Sequence, residues 1–275
     1  MLEAIGVVAA LGAVFGTGLS IASKKFAVHT DPKVEKILAL LPGANCGACG
    51  YPGCSGLAEA IATGKATVAP CISCTSENRK EIAAIMGITG ETQISSKLRK
   101  VAILSCNGNH VTAPKRFEYK GIKDCHLVAN FFAGPGRCSF GCLGFGSCIK
   151  ICPFGAISMG ENGLPKFDYE KCTGCGLCVQ QCPQRVITLV NSDSKIHIKC
   201  NNRDKGKAAM LDCSVSCISC GLCEKVCPTG AIKLHDDVNG SIPIIDYNKC
   251  IECGLCVKKC PRHCIQIVPP IPTKE

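Results

Sequence analysis

Cysteines recur in this chain at spacings that suit a polynuclear metal centre. In Cys172-Thr-Gly-Cys175-Gly-Leu-Cys178-Val-Gln-Gln-Cys182-Pro183, three thiols fall within one heptapeptide and a fourth follows ahead of a proline. Three thiolates in one turn-rich loop can hold three irons of a 4Fe–4S cube, while the fourth, directed away by the proline, reaches a neighbouring cube. The spacing returns at Cys217, Cys220, Cys223 and Cys227-Pro228, and again at Cys250, Cys253, Cys256 and Cys260-Pro261. A stretched version, Cys138-x3-Cys142-x5-Cys148-x3-Cys152-Pro153, precedes them. The chemistry these thiols imply is one-electron transfer.

Crossed ligation predicts the sets. Cys172, Cys175 and Cys178 would share a cube with Cys152, and Cys138, Cys142 and Cys148 one with Cys182. Cys217, Cys220 and Cys223 would join Cys260, and Cys250, Cys253 and Cys256 would join Cys227. A fifth site is read in Cys46-Gly-Ala-Cys49-Gly-Tyr-Pro-Gly-Cys54, where glycine and proline permit the tight backbone that turns sulfurs inward, with Cys71 as fourth ligand and Cys74 spare. Cys106, Cys125, Cys200 and Cys213 lie outside the regular runs and form a candidate sixth site by long-range contact. Cys264 reads as a packed thiol.

Composition agrees. The 275 residues include 26 Cys and 29 Gly but only 4 Tyr and no Trp, which argues against one large apolar core and for small modules held by metal. A secreted disulfide framework would scatter its cysteines, whereas these fall in close triplets, and structural zinc would use separated C-x2-C pairs. The formal charge of +10 leaves the thiols neutral. Each oxidised cube with its thiolates carries about two negative charges, so five would bring the loaded protein near neutrality. The basic balance is therefore no footprint of nucleic acid, and neither a recognition helix nor an aromatic RNA-binding run is present.

The elements that must position these sites follow in order. Ala4–Ser23 is uncharged and, at about 1.5 Å per residue, would give about 30 Å of helix, the thickness of a bilayer core. Glu3 precedes it and Lys24 and Lys25 follow, so the positive-inside bias puts the bulk of the chain in the cytoplasm. Residues 1–30 are read as this transmembrane anchor. Residues 31–90 read as a small helical 4Fe–4S domain, with helices over Val34–Leu41, Leu57–Ala62 and Asn78–Met86. Residues 91–136 read as an irregular connector containing a buried strand, Val101–Cys106. Residues 137–190 and 215–268 read as two-cluster α+β domains of the bacterial ferredoxin type. Residues 191–214 are a basic connector (Lys199, Arg203, Lys205, Lys207), read as a solvated face or a dock for an acidic partner, and 269–275 a tail. The fold class expected is a membrane-anchored multi-domain iron–sulfur protein.

The Asn45–Cys54 module, the central Cys138-Ser-Phe-Gly-Cys142-Leu-Gly-Phe-Gly-Ser-Cys148 and the connector Lys199-Cys200-Asn-Asn-Arg-Asp-Lys-Gly-Lys207 together resemble the B subunit of the Rnf complex, in the long form found in anaerobic bacteria. That family belongs to a membrane-bound ferredoxin:NAD+ oxidoreductase coupled to Na+ or H+ translocation. The cysteine sets above give five 4Fe–4S clusters with a candidate sixth, and the shorter form of the family has only one two-cluster ferredoxin domain. The resemblance implies electrons received from soluble ferredoxin, the A, C, D, E and G subunits of the Rnf complex as partners, and a single pass through the bacterial cytoplasmic membrane. The chain has no dinucleotide fingerprint in a strand–helix setting and no P-loop lysine, so flavin and nicotinamide chemistry would lie in other subunits. No residue reads as a catalytic acid or base. The rival readings are a ferredoxin-like subunit of another membrane reductase or hydrogenase, and a redox-sensing cluster protein.

Overall fold

A computed structural model describes residues 2–25, 31–68, 70–87 and 99–268; the tail read at 269–275 lies outside them. The first element, α1 (Leu2–Lys25), is a continuous helix of 24 residues. Among its described side chains, Leu11, Val14, Phe15, Leu19 and Ile21 are all exposed. Counting described residues only, no helix is long and apolar enough to cross a membrane.

Three helices build the next module: α2 (Pro32–Leu40), α3 (Gly53–Ala62) and α4 (Ser76–Ile85). Asp31 caps α2 by accepting from the Lys33 amide, with Pro32 at the first helical position where its missing N–H costs nothing. Thr75 caps α4 through the Asn78 amide. The apolar stripe predicted for each helix packs inward, Val34 and Ile37 against Leu57, Ala58 and Ile61 and against Ile82, with Cys54 and Cys74 in the same core.

The first ferredoxin-like domain comprises β1 (Lys100–Leu104), α5 (Cys125–Ala129), α6 (Ser147–Ile151), β2 (Ile157–Met159), β3 (Pro165–Phe167), α7 (Leu177–Gln180) and β4 (Ile187–Asn191). The second comprises β5 (Ile196–Ile198), α8 (Gly206–Asp212), α9 (Leu222–Lys225), β6 (Ile232–Asp237), β7 (Gly240–Ile245), α10 (Leu255–Lys259) and β8 (Ile265–Ile267). Each has two antiparallel pairs: β1 with β4 and β2 with β3, then β5 with β8 and β6 with β7. The outer pairing revises two sequence boundaries. β1 lies in the segment read as a connector, yet it runs antiparallel to β4 from Lys100 opposite Asn191 to Leu104 opposite Ile187. β5 lies in the basic connector and pairs with β8. A returning strand with an unpaired backbone edge is satisfied by the strand that enters the domain.

The basic connector is also less free than its composition suggests. Lys199 donates to the Leu104 carbonyl at 3.0 Å, Arg203 pairs with Asp237, and Lys205 pairs with Asp236 at 3.4 Å. Three of the four cations read as a solvated or docking face are thus engaged within the chain.

Candidate iron–sulfur centres

Every cysteine run enters its short helix through a glycine in the left-handed region: Gly146 before α6, Gly176 before α7, Gly221 before α9 and Gly254 before α10, all with φ between 73° and 83°. The residue two positions earlier is left-handed too: Gly144 (φ 75°), Gly174 (70°), Ser219 (52°) and Glu252 (56°). So is the third residue after the last cysteine of each run: Gly155, Arg185, Gly230 and His263. These repeated turns fix the register of all four runs. Cys142 matches Cys172, Cys148 matches Cys178, Cys152 matches Cys182, and Phe145 stands where the second cysteine stands elsewhere. The stretched run is a regular one with its second thiol replaced.

Pockets follow this register. One is lined by Cys152, Cys172, Cys175 and Cys178, and another by Cys217, Cys220, Cys223 and Cys260 with Cys264 alongside. A third is lined by Cys142, Cys148, Cys182 and Cys125. Cys138 does not line it; it lines a separate cavity with Cys106, Cys200 and Cys213, which Cys142 also borders. Relative to the sequence grouping, Cys125 and Cys138 exchange places. The physical reason is local. Asp124 caps α5 through the His126 and Leu127 amides and accepts from the Ser147 hydroxyl, which in turn accepts from the Cys125 amide at 2.8 Å. That network ties Cys125 to the helix carrying Cys148.

The fourth set of the two domains, Cys250, Cys256, Cys227 and neighbouring Cys253, gathers about the β5–β8 core, where Cys256 is buried. In the N-terminal module, Cys71 neighbours Cys74 and Cys49, and Cys74 neighbours Cys54. Cys46 lies close enough to Cys175 to oppose its ionisation. Asn45, left-handed at φ 46°, accepts from the Cys54 amide at 2.8 Å and so caps α3 from outside the helix.

Burial pushes these thiols up: Cys178 to about 12, and Cys148 and Cys223 to about 11, with neighbouring sulfurs adding to the effect. Clustered thiols that resist ionisation in apolar surroundings suit a cation that binds them as thiolates and displaces their protons. Backbone N–H groups already point at the sulfurs, from Ala102 to Cys172 at 3.4 Å and from Cys264 to Cys260 at 3.3 Å. Among the described residues no three His, Cys, Asp or Glu groups close on one point tightly enough for a single ion, while sets of four cysteines line common pockets. The donor set fits 4Fe–4S cubes.

Fold and site together define a multi-cluster ferredoxin-type electron-transfer protein. Two families, each described as "4Fe-4S dicluster domain", match residues 139–189 and residues 171–231 and 216–264, and one described as "Putative Fe-S cluster" matches residues 41–73. The chain is 45% identical over 265 residues to the B subunit of the Na+-translocating ferredoxin:NAD+ oxidoreductase complex of Acetobacterium woodii, covering 96% of this chain and 77% of that protein. It is 38% identical to the B subunit of the ion-translocating oxidoreductase complex of Methanosarcina acetivorans, over 85% of this chain and 87% of that one. It is 39% identical to the B subunit of the proton-translocating ferredoxin:NAD+ oxidoreductase complex of Clostridium ljungdahlii, over 83% and 79%. The chain belongs to the family of B subunits of the ion-translocating oxidoreductase (Rnf) complexes, and its role is electron transfer.

Proposed function

We propose that this chain accepts electrons from reduced soluble ferredoxin and passes them to the other subunits of a membrane-bound ferredoxin:NAD+ oxidoreductase, the A, C, D, E and G subunits, whose electron flow drives Na+ or H+ translocation. The observation that carries the reading is the gathering of cysteines from different runs around common pockets, above all Cys152 with Cys172, Cys175 and Cys178, and Cys217, Cys220 and Cys223 with Cys260. A 4Fe–4S cube, when bound, supplies a centre that gains or loses one electron with little movement of its ligands.

The chain's own residues do the rest. Thiolates from two runs hold each site of the ferredoxin-like domains, so each pair of sites is built into one folded unit. Amide donors to Cys172 and Cys260 stabilise added negative charge. In the N-terminal module Cys46, Cys49, Cys54 and Cys71 are assigned as ligands, with Cys74 beside them, and in the second domain Cys227, Cys250, Cys253 and Cys256. We assign α1 as the anchor: it contains the uncharged run Ala4–Ser23, its 24 residues would extend about 36 Å, and the apolar side chains described on it are exposed. Lys24 and Lys25 would then hold the cluster domains on the cytoplasmic side. The Cys46 module, next in sequence to the anchor, hands electrons toward the membrane partners, and the C-terminal domain faces ferredoxin.

Rapid mixing of the anaerobic full-length protein with reduced ferredoxin tests the role. Bleaching of cluster absorbance within the turnover time of the complex is expected. Clusters that are present but stay oxidised would remove ferredoxin as donor and favour a sensing role.

A further inference from the structure

The N-terminal module draws one cation inward without giving it a carboxylate. Lys33, Lys36, Lys65 and Lys80 are exposed, whereas Arg79, on the first turn of α4, is partly buried. Its guanidinium turns back over the preceding loop, where one Nη donates to the Cys71 carbonyl at 2.6 Å and lies 3.4 Å from that of Ile72. The Nε–H is buried and has no acceptor. Among the described residues every ion pair is made elsewhere. Glu77 and Glu81 stand two positions away on either side, a spacing at which helical side chains do not face each other.

A charge withdrawn from water with a donor left over is costly unless an anion meets it. The frame that places it is firm. Thr75 caps α4 through the Asn78 amide, and the Asn78 side chain donates to the Leu40 carbonyl at 2.6 Å, which ties α4 to the end of α2. What the guanidinium faces is sulfur. Burial raises the Cys74 thiol, and the charge of Arg79 is the first of the influences that pull it back. Cys74 neighbours Cys54, and Cys71, whose carbonyl Arg79 holds, neighbours Cys49. The cation thus stands at the edge of the cysteine set assigned to this module.

We propose that Arg79 is the built-in counter-charge of the N-terminal 4Fe–4S cluster and holds its reduction potential up, so that electrons run downhill into the module next to the anchor. The proposal rests on the electron-transfer reading above and supplies its direction. Reduction adds one electron and one negative charge to the centre, with no bond made or broken. A fixed guanidinium beside it stabilises the reduced state more than the oxidised one. Arginine keeps its proton in a protein, so Arg79 acts without titrating. Its bond to the Cys71 carbonyl also makes it a positioning residue for the loop that carries the fourth thiol.

Stepwise EPR titration of the anaerobic full-length protein, poised with a chemical reductant and mediator dyes, tests this. The signal absent from Cys49→Ala marks the N-terminal cluster. Arg79→Gln should keep the wild-type iron count and lower the midpoint of that signal alone, by the same amount at every pH. Arg79→Lys, which keeps the charge without the planar fork, should retain most of the wild-type value. The proposal is overturned by a loaded Arg79→Gln protein with an unshifted midpoint, by Arg79→Lys shifting as far as Arg79→Gln, or by a Cys49→Ala protein that loses no signal. If Arg79→Gln does not load, Arg79→Lys decides: a cluster at the wild-type midpoint upholds the role of the charge. A lowered midpoint or a missing cluster there would leave Arg79 a strut for the Cys71 loop and overturn the proposal. No ferredoxin enters the titration, so a protein with these midpoints that reduced ferredoxin fails to bleach on rapid mixing would overturn the donor and leave Arg79 its role.

Discussion

The Cys125 amide donates to the Ser147 hydroxyl at 2.8 Å, and the same hydroxyl donates to Asp124 at 2.9 Å. Ser147 is 2% exposed, so this one side chain locks the thiol at the start of α5 beside the helix of Cys148. The Ser147 hydroxyl, first among several donors, holds the Asp124 carboxyl below the usual carboxylate range. Ser147→Ala leaves the Cys125 amide without its acceptor, at a cost of about 1 kcal/mol or more. The expected result is a protein that folds and loads but releases one cluster's iron faster to a chelator. Release at the wild-type rate would show that Cys125 needs no such tether.

Phe145 occupies the backbone position of the second cysteine in a run. Its ring packs edge-on against Tyr119 at 5.6 Å. If Cys125 supplies the thiol that Phe145 lacks, then Phe145→Cys should restore in a Cys125→Ala background the four or so irons that Cys125→Ala removes. The aromatic contact is lost, so the rescued protein should be less stable by about 0.5–1.5 kcal/mol. Failure of Phe145→Cys to recover any iron would argue against the register.

The sequence made much of this legible and hid the rest for a definite reason. Cysteine triplets and the Cys-Pro step are local, so the regular sets and the domain repeat could be read from spacing. The outer strands could not: Val101–Leu104 looks like a buried strand, but nothing local says that it pairs with β4 across some eighty residues. The sixth set is equally non-local. The signal for the Cys125 and Cys138 exchange was present, because Gly144 and Gly146 flank Phe145 as Gly174 and Gly176 flank Cys175. Counting gaps between cysteines passes over it; aligning the glycines finds it.

Gly174 separates two reasons for a glycine. Ser219 and Glu252 hold the equivalent left-handed position with side chains, so φ alone does not demand glycine there. At Gly174, however, a Cβ would overlap the Lys100 carbonyl of β1, which runs directly over the loop. Gly174→Ser should therefore destabilise the first domain by about 1–3 kcal/mol through overpacking, while Ser219→Gly stays within about 1 kcal/mol of wild type. Denaturant melts of the loaded proteins check this; equal effects would mean β1 yields easily.

His197 is fully buried, with Nδ1 2.9 Å from the Tyr247 hydroxyl and Nε2 without a partner. Burial, reinforced by the charge of Lys199 and opposed by the Ser194 backbone and then Glu252, holds its pKa below the ordinary 6.5. The unfolded chain then binds the proton more readily than the folded one. Stability from neutral His197 is complete above about 6.5 and is lost as pH falls through the lower folded value. His197→Gln should flatten that slope, leaving only the acid lability of the clusters common to both proteins. Identical pH dependence of unfolding in the two would exclude His197 as its source.

Cys264 is buried beside Cys200, Cys217 and Cys260, and its sulfur lies 3.3 Å from the Val215 carbonyl. Its own ionisation is strongly opposed, so it stays a neutral thiol, and its S–H helps hold Cys260 down at about 5 and Cys200 at about 7. Once those sulfurs are ligating thiolates, an S–H bond to a charged acceptor is stronger than one to a neutral carbonyl, so the proton faces the sulfurs. Hydrogen bonds to ligand sulfur favour the reduced, more negative state of a cluster and raise its potential. Cys264→Ala should accordingly lower the midpoint of the cluster at Cys217, Cys220, Cys223 and Cys260 without changing the iron count. Stepwise EPR titration reads this directly, and an unchanged midpoint with full iron would reduce Cys264 to a packing residue.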